Sequence, residues 1–343
     1  MPEKRLKPFI VPVFIPNMGC PHRCVFCEQR KITAQDPEGV REERVRRILD
    51  AAVRSRHFDP ARKPEVAFFG GTFTRLPAAK MRGLLEAVRP YMEAGLFHSI
   101  RISTRPDAVD DETLDLLEKY GVLTVELGAQ SMDDRVLRLS ERGHSAADTA
   151  RAVRLLKSRG FKAGVQLMPG LPGDTPDIFL DTIERVIRLA PDMARIYPAL
   201  VLRGTPLARE YAAGRYRPLT LPAAVDQCAR ACVRLEESGI PVIRMGLMSS
   251  PSLLEEGQII AGPWHPAFGF LVRAAVFQEK IDPLLPGPGE TDRIRIHVSP
   301  REIPLLRGYR NRGLERIREK TGAGEICITP DKTLSPGRIR IAP

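Results

Sequence analysis

Three cysteines, Cys20, Cys24 and Cys27, stand in the stretch "GCPHRCVFCEQ" with the spacing CxxxCxxC. Clustered thiolates bind soft metals. A structural zinc site wants four ligands, and a secreted disulfide framework wants pairs. Three thiolates can instead hold an iron–sulfur cluster with one iron left open. Six cysteines in 343 residues, three of them clustered, do not read as a disulfide scaffold and fit a reducing cytoplasm. A zinc site completed by a remote ligand, Cys228 or a histidine, stays open at this point.

The elements that must position these cysteines alternate along the chain. Short apolar runs at 9–15, 65–70, 99–104, 122–128, 161–168 and 193–199 read as strands. Segments with helical periodicity lie between them at 45–56, 81–92, 111–121, 146–160 and 176–190, and a further one follows at 222–239. Such alternation predicts an α/β fold with parallel strands under covering helices. Six units are too few for a closed eight-fold barrel, so the expected architecture is a partial (βα)6 TIM-like barrel. The loops after parallel strands open on one face, where barrel enzymes keep their sites. The cysteine loop follows the first strand. "GGTFT", "STRPD", "LGAQS", "MPGLPG" and "YPALVLRGT" follow the next five in order. Six motifs therefore converge on one mouth.

CxxxCxxC followed by GGT on such a chain resembles the radical S-adenosylmethionine (SAM) superfamily. "VELGAQS", "ERGHS", "GFKAGVQLMPGLPGDT" and "RIYPALVLRGTPL" are similar to the radical SAM domain of the tRNA-modifying Elongator catalytic subunits, over most of residues 8 to 245. Two departures matter. The cysteine spacing here is the short general one, and the stretch after residue 245 leaves little room for the acetyltransferase domain of those subunits. The resemblance thus implies a bacterial stand-alone relative, and acetyl-CoA chemistry is not carried over.

The resemblance implies that Cys20, Cys24 and Cys27 hold a [4Fe–4S] cluster whose fourth iron is chelated by SAM. An electron donor such as flavodoxin or ferredoxin would reduce it. SAM would then be cleaved to methionine and a 5′-deoxyadenosyl radical that abstracts hydrogen from the substrate. Gly70, Gly71 and Thr72 would meet the SAM amino group. Thr104 and Arg105 would reach the ribose and the methionyl end, and Gln130 the ribose. Arg142 would pair with the SAM carboxylate. Gln166 and "MPGLPG" would border ribose and adenine, and Phe26 would pack on adenine. Tyr197 and Arg203 are candidates for the substrate cavity. Cys228 and Cys232, four apart on one helix, either join Cys327 at a second cluster or are small core residues. Two rival functions carry part of the pattern: small-molecule chemistry like that of coproporphyrinogen dehydrogenase relatives, and a non-catalytic SAM- or iron–sulfur-binding RNA adaptor.

Net charge is +11, which fits either a soluble surface rich in Arg or a polyanionic partner, nucleic acid foremost, so its distribution matters. Residues 292–343 hold twelve Lys/Arg against six Asp/Glu, a surplus of six in the last seventh of the chain. The expected organisation is a barrel over 1–250, a connector and Pro/Gly-rich linker over 251–291, and a small basic domain over 292–343. That domain reads as strand 293–298, helix 300–307, a basic turn "GYRNRG", helix 314–321, and strands 325–329 and 337–341. The order resembles a KH-type RNA-binding module, with a turn longer than the KH loop. A basic cap packed on the barrel is the alternative. The expected substrate is RNA, tRNA foremost. No apolar run is long enough to span a membrane, and no cleavable signal is evident.

Overall fold

The computed structural model describes residues 9–33 and 40–342. Residues 1–8, which entered the signal-peptide reading, lie outside the described residues. The strands of the main sheet are β1 (Ile10–Phe14), β2 (Glu65–Phe69), β3 (Ser99–Thr104), β4 (Val122–Gln130), β5 (Lys162–Leu167) and β6 (Met193–Ile196). After a short β7 (Val201–Leu202) outside that sheet comes its last strand, β8 (Val242–Met245). All pairings are parallel, and the order in space is the order in sequence. The result is a curled half-barrel.

Helices Glu42–Val53, Ala78–Glu86, Asp111–Lys119, Ala146–Ser158, Pro176–Leu189 and Leu221–Glu237 cross between the strands. They cover one sheet face while the strands curl around the other, so β2 and β3 are buried nearly throughout. Helices begin where the mouth loops end, on side-chain caps. Asp110, Asp133, Thr175, Thr205 and Thr220 each accept from a backbone N–H of the first turn, satisfying donors that the helix itself leaves orphaned. Ser145 and Asp148 close a reciprocal capping box.

The structure differs from the expectation in three places. The sheet has a seventh strand, β8, of which only Val242 is buried, too short a pattern to register as a strand. The helix expected over 81–92 is two, Ala78–Glu86 and Arg89–Glu93, with Pro90 in the first turn of the second, where its missing N–H has no partner to lose. The stretch expected as a connector carries β9 (Ile259–Ala261), antiparallel to β7, and the helix Phe268–Ile281. That helix belongs to two cores. Phe268, Val272 and Val276 pack into the barrel, whereas Phe277 and Ile281 pack into the C-terminal unit.

The C-terminal sheet has β10 (Arg293–Val298) at its centre, β11 (Glu325–Pro330) parallel to it and β12 (Ile339–Ala342) antiparallel. Ile294, Ile296 and Val298 face its core beside Leu306, Leu314 and Ile317. Between helices Ile303–Arg307 and Arg312–Thr321 the chain turns tightly, with Gly308, Arg310 and Asn311 all at positive φ. Asp282, just after the shared helix, takes both terminal nitrogens of Arg316 at 2.6 Å and Lys320 Nζ at 2.6 Å. Among the described residues no helix is long and apolar enough to cross a membrane. β1 pairs only with β2 among those residues and carries Pro12 at its middle.

Candidate active site

A cavity of about 1010 Å³ runs from the mouth down the inside of the half-barrel. The three cysteines border one end, and Ile10 and Glu65, the first residues of β1 and β2, border the other. All twelve residues expected to hold the cluster or SAM line it: Cys20, Cys24, Cys27, Phe26, Gly70, Gly71, Thr72, Thr104, Arg105, Gln130, Arg142 and Gln166.

The cysteine loop is locked to the loop after β2. Asn17 N donates to Gly70 O and Thr72 N to Met18 O, both at 2.8 Å. A Cβ on Gly71 would collide with the carbonyls of Ile15 and Met18, and one on Gly19 with that of Thr72. Close approach to SAM was the expected reason for Gly71; the interlocked backbones give a nearer one. Each thiol meets a donor from outside its own motif. Arg142 Nη1 lies 2.9 Å from Cys24 Sγ, Asn17 Nδ2 3.8 Å from Cys27 Sγ, and Thr72 Oγ1 3.3 Å from Cys20 Sγ. Burial, with the neighbouring Cys24 and Cys20, pushes the Cys27 thiol up to about 12. A bound metal centre would hold it as thiolate. Arg142 also donates through Nη2 to Gly128 O at 2.6 Å, and its Nε is buried without a partner. Three thiols on one cavity beside an orphaned guanidinium N–H fit a cluster together with an anionic ligand.

The other expected residues are arranged less uniformly. Gln130 has φ of +67° where the β4–β5 register shifts, a conformation that costs a non-glycine residue about 1–2 kcal/mol. Its Oε1 accepts from Gln166 Nε2 at 3.2 Å. Arg105 is already matched by Asp107, at 2.9 and 3.1 Å, and lies 3.4 Å from His22 Nε2. The Thr104 hydroxyl is engaged with that of Thr74. Phe26 packs beside Val136, Leu171 and Ala199. Tyr197 borders the cavity, but Arg203 does not; it is exposed and donates to Gly257 O at 2.9 Å. Cys228 and Cys232 are buried in the barrel core, while Cys327 lies on β11 of the C-terminal sheet.

Sequence reasoning missed a buried ionic chain inside the barrel. Arg101 bridges Glu65 and Glu126, each at 2.6 Å. Arg195 Nε lies 2.7 Å from Glu126, and its Nη1 donates to Tyr197 Oη at 3.1 Å. The signal was present: "EVAFF", "SIRIST", "TVELG" and "MARIY" each carry one charge in a largely apolar strand, and the four alternate in sign along the chain.

The half-barrel brings three thiols and the unpartnered Nε of Arg142 to the mouth end of one chamber, the place where enzymes of this architecture do their chemistry. Residues 14–186 match the radical SAM superfamily and residues 191–277 the radical SAM C-terminal domain. The chain belongs to the radical SAM superfamily, as an enzyme that uses a [4Fe–4S] cluster and SAM. It is 28% identical to the tRNA uridine(34) acetyltransferase of Methanocaldococcus infernus over 63% of this chain and 48% of that protein. It is 28% identical to human Elongator complex protein 3 over 67% of this chain and 51% of that one. It thus spans about half the length of these relatives. An uncharacterized protein of Methanocaldococcus jannaschii is 30% identical over 62% of this chain and 67% of its own length. The solved structure of archaeal Methanocaldococcus infernus Elp3 shares the fold, with a TM-score of 0.61 at 24% identity over 80% of this chain and 64% of that one.

Proposed function

We propose that this enzyme modifies tRNA in the cytoplasm, with residues 1–250 carrying the chemistry and 292–343 gripping the RNA. An external reductant of the flavodoxin or ferredoxin type supplies the electron. When bound, the cluster and SAM supply one-electron, hydrogen-abstracting chemistry. Cys20, Cys24 and Cys27 hold the cluster. Arg142 keeps the Cys24 sulfur in place and offers its remaining N–H to a carboxylate. Gln130 and Gln166, bonded to each other, turn amides toward a ribose. Gly70, Thr72, Thr104, Arg105 and Phe26 border the same ligand.

One contact carries the RNA reading. Tyr309, in the basic turn, meets the His265 ring edge-on, with centroids 4.9 Å apart. His265 follows β9, which pairs with β7 in the loop beyond β6, on the mouth side of the barrel. Exposed Arg307, Arg310 and Arg312 are thereby carried on a turn joined to the mouth loops. The tRNA-directed relatives support the same reading. Changing Arg310 and Arg312 to Ala should weaken tRNA binding and lower its logarithmic salt slope by at most about two. A purely structural cap predicts unchanged affinity and slope, and filter binding across a salt series separates the two.

A further inference from the structure

We infer that the lower chamber, beneath the residues that line the mouth, is a subsite for an uncharged, hydrogen-bonding ring of nucleobase type, and that Tyr197 contacts it. Only the identity of the molecule that carries the ring rests on the tRNA reading.

The inference comes from charge accounting. Arg101 and Arg195 face Glu65 and Glu126 in a closed set of two cations and two anions, with side chains 5 to 13% exposed. Arg101 spends Nε and Nη2 on Glu65 and Nη1 on Glu126. Arg195 spends Nη2 on Glu126 and Nη1 on Tyr197; its Nε, though 2.7 Å from Glu126 Oε2, is buried without a hydrogen bond, and its flat face covers the Phe69 ring at 5.0 Å. A carboxylate or phosphate brought here would lose its water and find both guanidinium charges already matched by Glu65 and Glu126, which is a net cost. The cations not paired in this way, Lys162 and Arg244, are exposed at the lower rim, where water screens them.

Neutral donors and acceptors fare differently. The Tyr197 oxygen accepts from Arg195, so its own proton is free to be donated into the cavity. The space is built in. Inward positions on β4 and β5 are Gly128 and Gly164; a Cβ on Gly164 would stand 3.0 Å from Glu126 Cγ. A volume of about 1010 Å³ is at the top of the range for a pocket with one small ligand. It leaves room for a planar ring below SAM. Phosphates of a polynucleotide would stay outside, at the exposed arginines.

The test uses the full chain, reconstituted anaerobically and loaded with SAM. The probes are the four ribonucleosides and coproporphyrin III, a tetracarboxylate, followed by titration calorimetry. At least one nucleoside should bind and the tetracarboxylate should not. Tyr197→Phe should weaken nucleoside binding about tenfold, with iron content and SAM affinity unchanged. Glu126→Gln leaves the two arginines under-neutralised and should admit the tetracarboxylate. If that variant fails to fold, Tyr197→Phe still decides. Tetracarboxylate binding by the wild type, no nucleoside binding at all, or nucleoside binding indifferent to Tyr197→Phe would each overturn the inference. If tRNA fails to bind while nucleosides bind through Tyr197, the tRNA reading falls and the subsite stands.

Discussion

His144 and Asp174 are two buried titratable groups with opposite consequences. The His144 Nε2 edge meets Ala129 O at 3.2 Å, and Nδ1 is buried with no partner. Burial first, then the charges of Arg142 and Arg105, lowers its pKa from 6.5 to about 4. The unfolded chain therefore takes up this proton first as pH falls, and stability is lost between pH 6.5 and about 4. Asp174 accepts from Gly170 N at 2.8 Å through one oxygen and buries the other unpaired. Burial raises its pKa from 3.8 to about 6, so the folded state takes up the proton first and stability is gained over nearly the same window. Each effect is worth about 3 kcal/mol at most. Relative to wild type, His144→Asn should gain stability as pH falls from 6.5 to about 4, and Asp174→Asn should lose it. Denaturant midpoints across that range check the sign. Neither shift is legible from sequence, because each depends on a partner that burial withholds. The interior charges were more legible: a Glu or Arg within a largely apolar strand needs an opposite charge nearby, and Glu65, Arg101, Glu126 and Arg195 supply one another.

Two glycines show how strands and loops divide the labour. A Cβ on Gly71 meets backbone carbonyls that cannot yield. A Cβ on Gly128 meets Gln130 Nε2 at 2.9 Å and Arg142 Nη2 at 3.3 Å, both ends of flexible side chains. Gly71→Ala should therefore disrupt the cysteine loop and cut iron content after reconstitution. Gly128→Ala should fold, retain iron, and lose about tenfold or more in SAM affinity, by displacing Gln130 and Arg142 at a cost of about 1.4 kcal/mol or more. Iron analysis alongside SAM titration separates the two outcomes. The strand–helix alternation was legible because amphipathic crossovers and short apolar strands have distinct periods. The helix Phe268–Ile281 was not. It buries one side in the barrel and another in the C-terminal core, so it lacks the polar face that marks a surface helix. Its N-cap, Ala267, also offers no capping side chain.

At the scale of the molecule, that helix makes the two cores interdependent. Phe277 and Ile281 are 3% and 0% exposed, and both lie against the C-terminal sheet unit. Ending the chain at residue 291 would uncover them, at about 1.5–3 kcal/mol for each side chain. The shortened protein should aggregate, and changing both residues to Gln in it should restore a monodisperse species by light scattering. If the shortened protein is already monodisperse, the cores are independent.

The half-barrel also has two sheet margins that a closed barrel lacks. An open strand with free N–H and C=O groups is a template for fibrillar pairing with another chain. At β8, Arg273 Nη2 donates to the Val242 carbonyl at 3.2 Å, and the shared helix lies alongside. At β1, Pro12 offers no N–H and interrupts the row of donors in the middle of a five-residue strand. The two margins that leave the chamber open thus each carry, among the described residues, a local break in the row of groups that edge pairing would need.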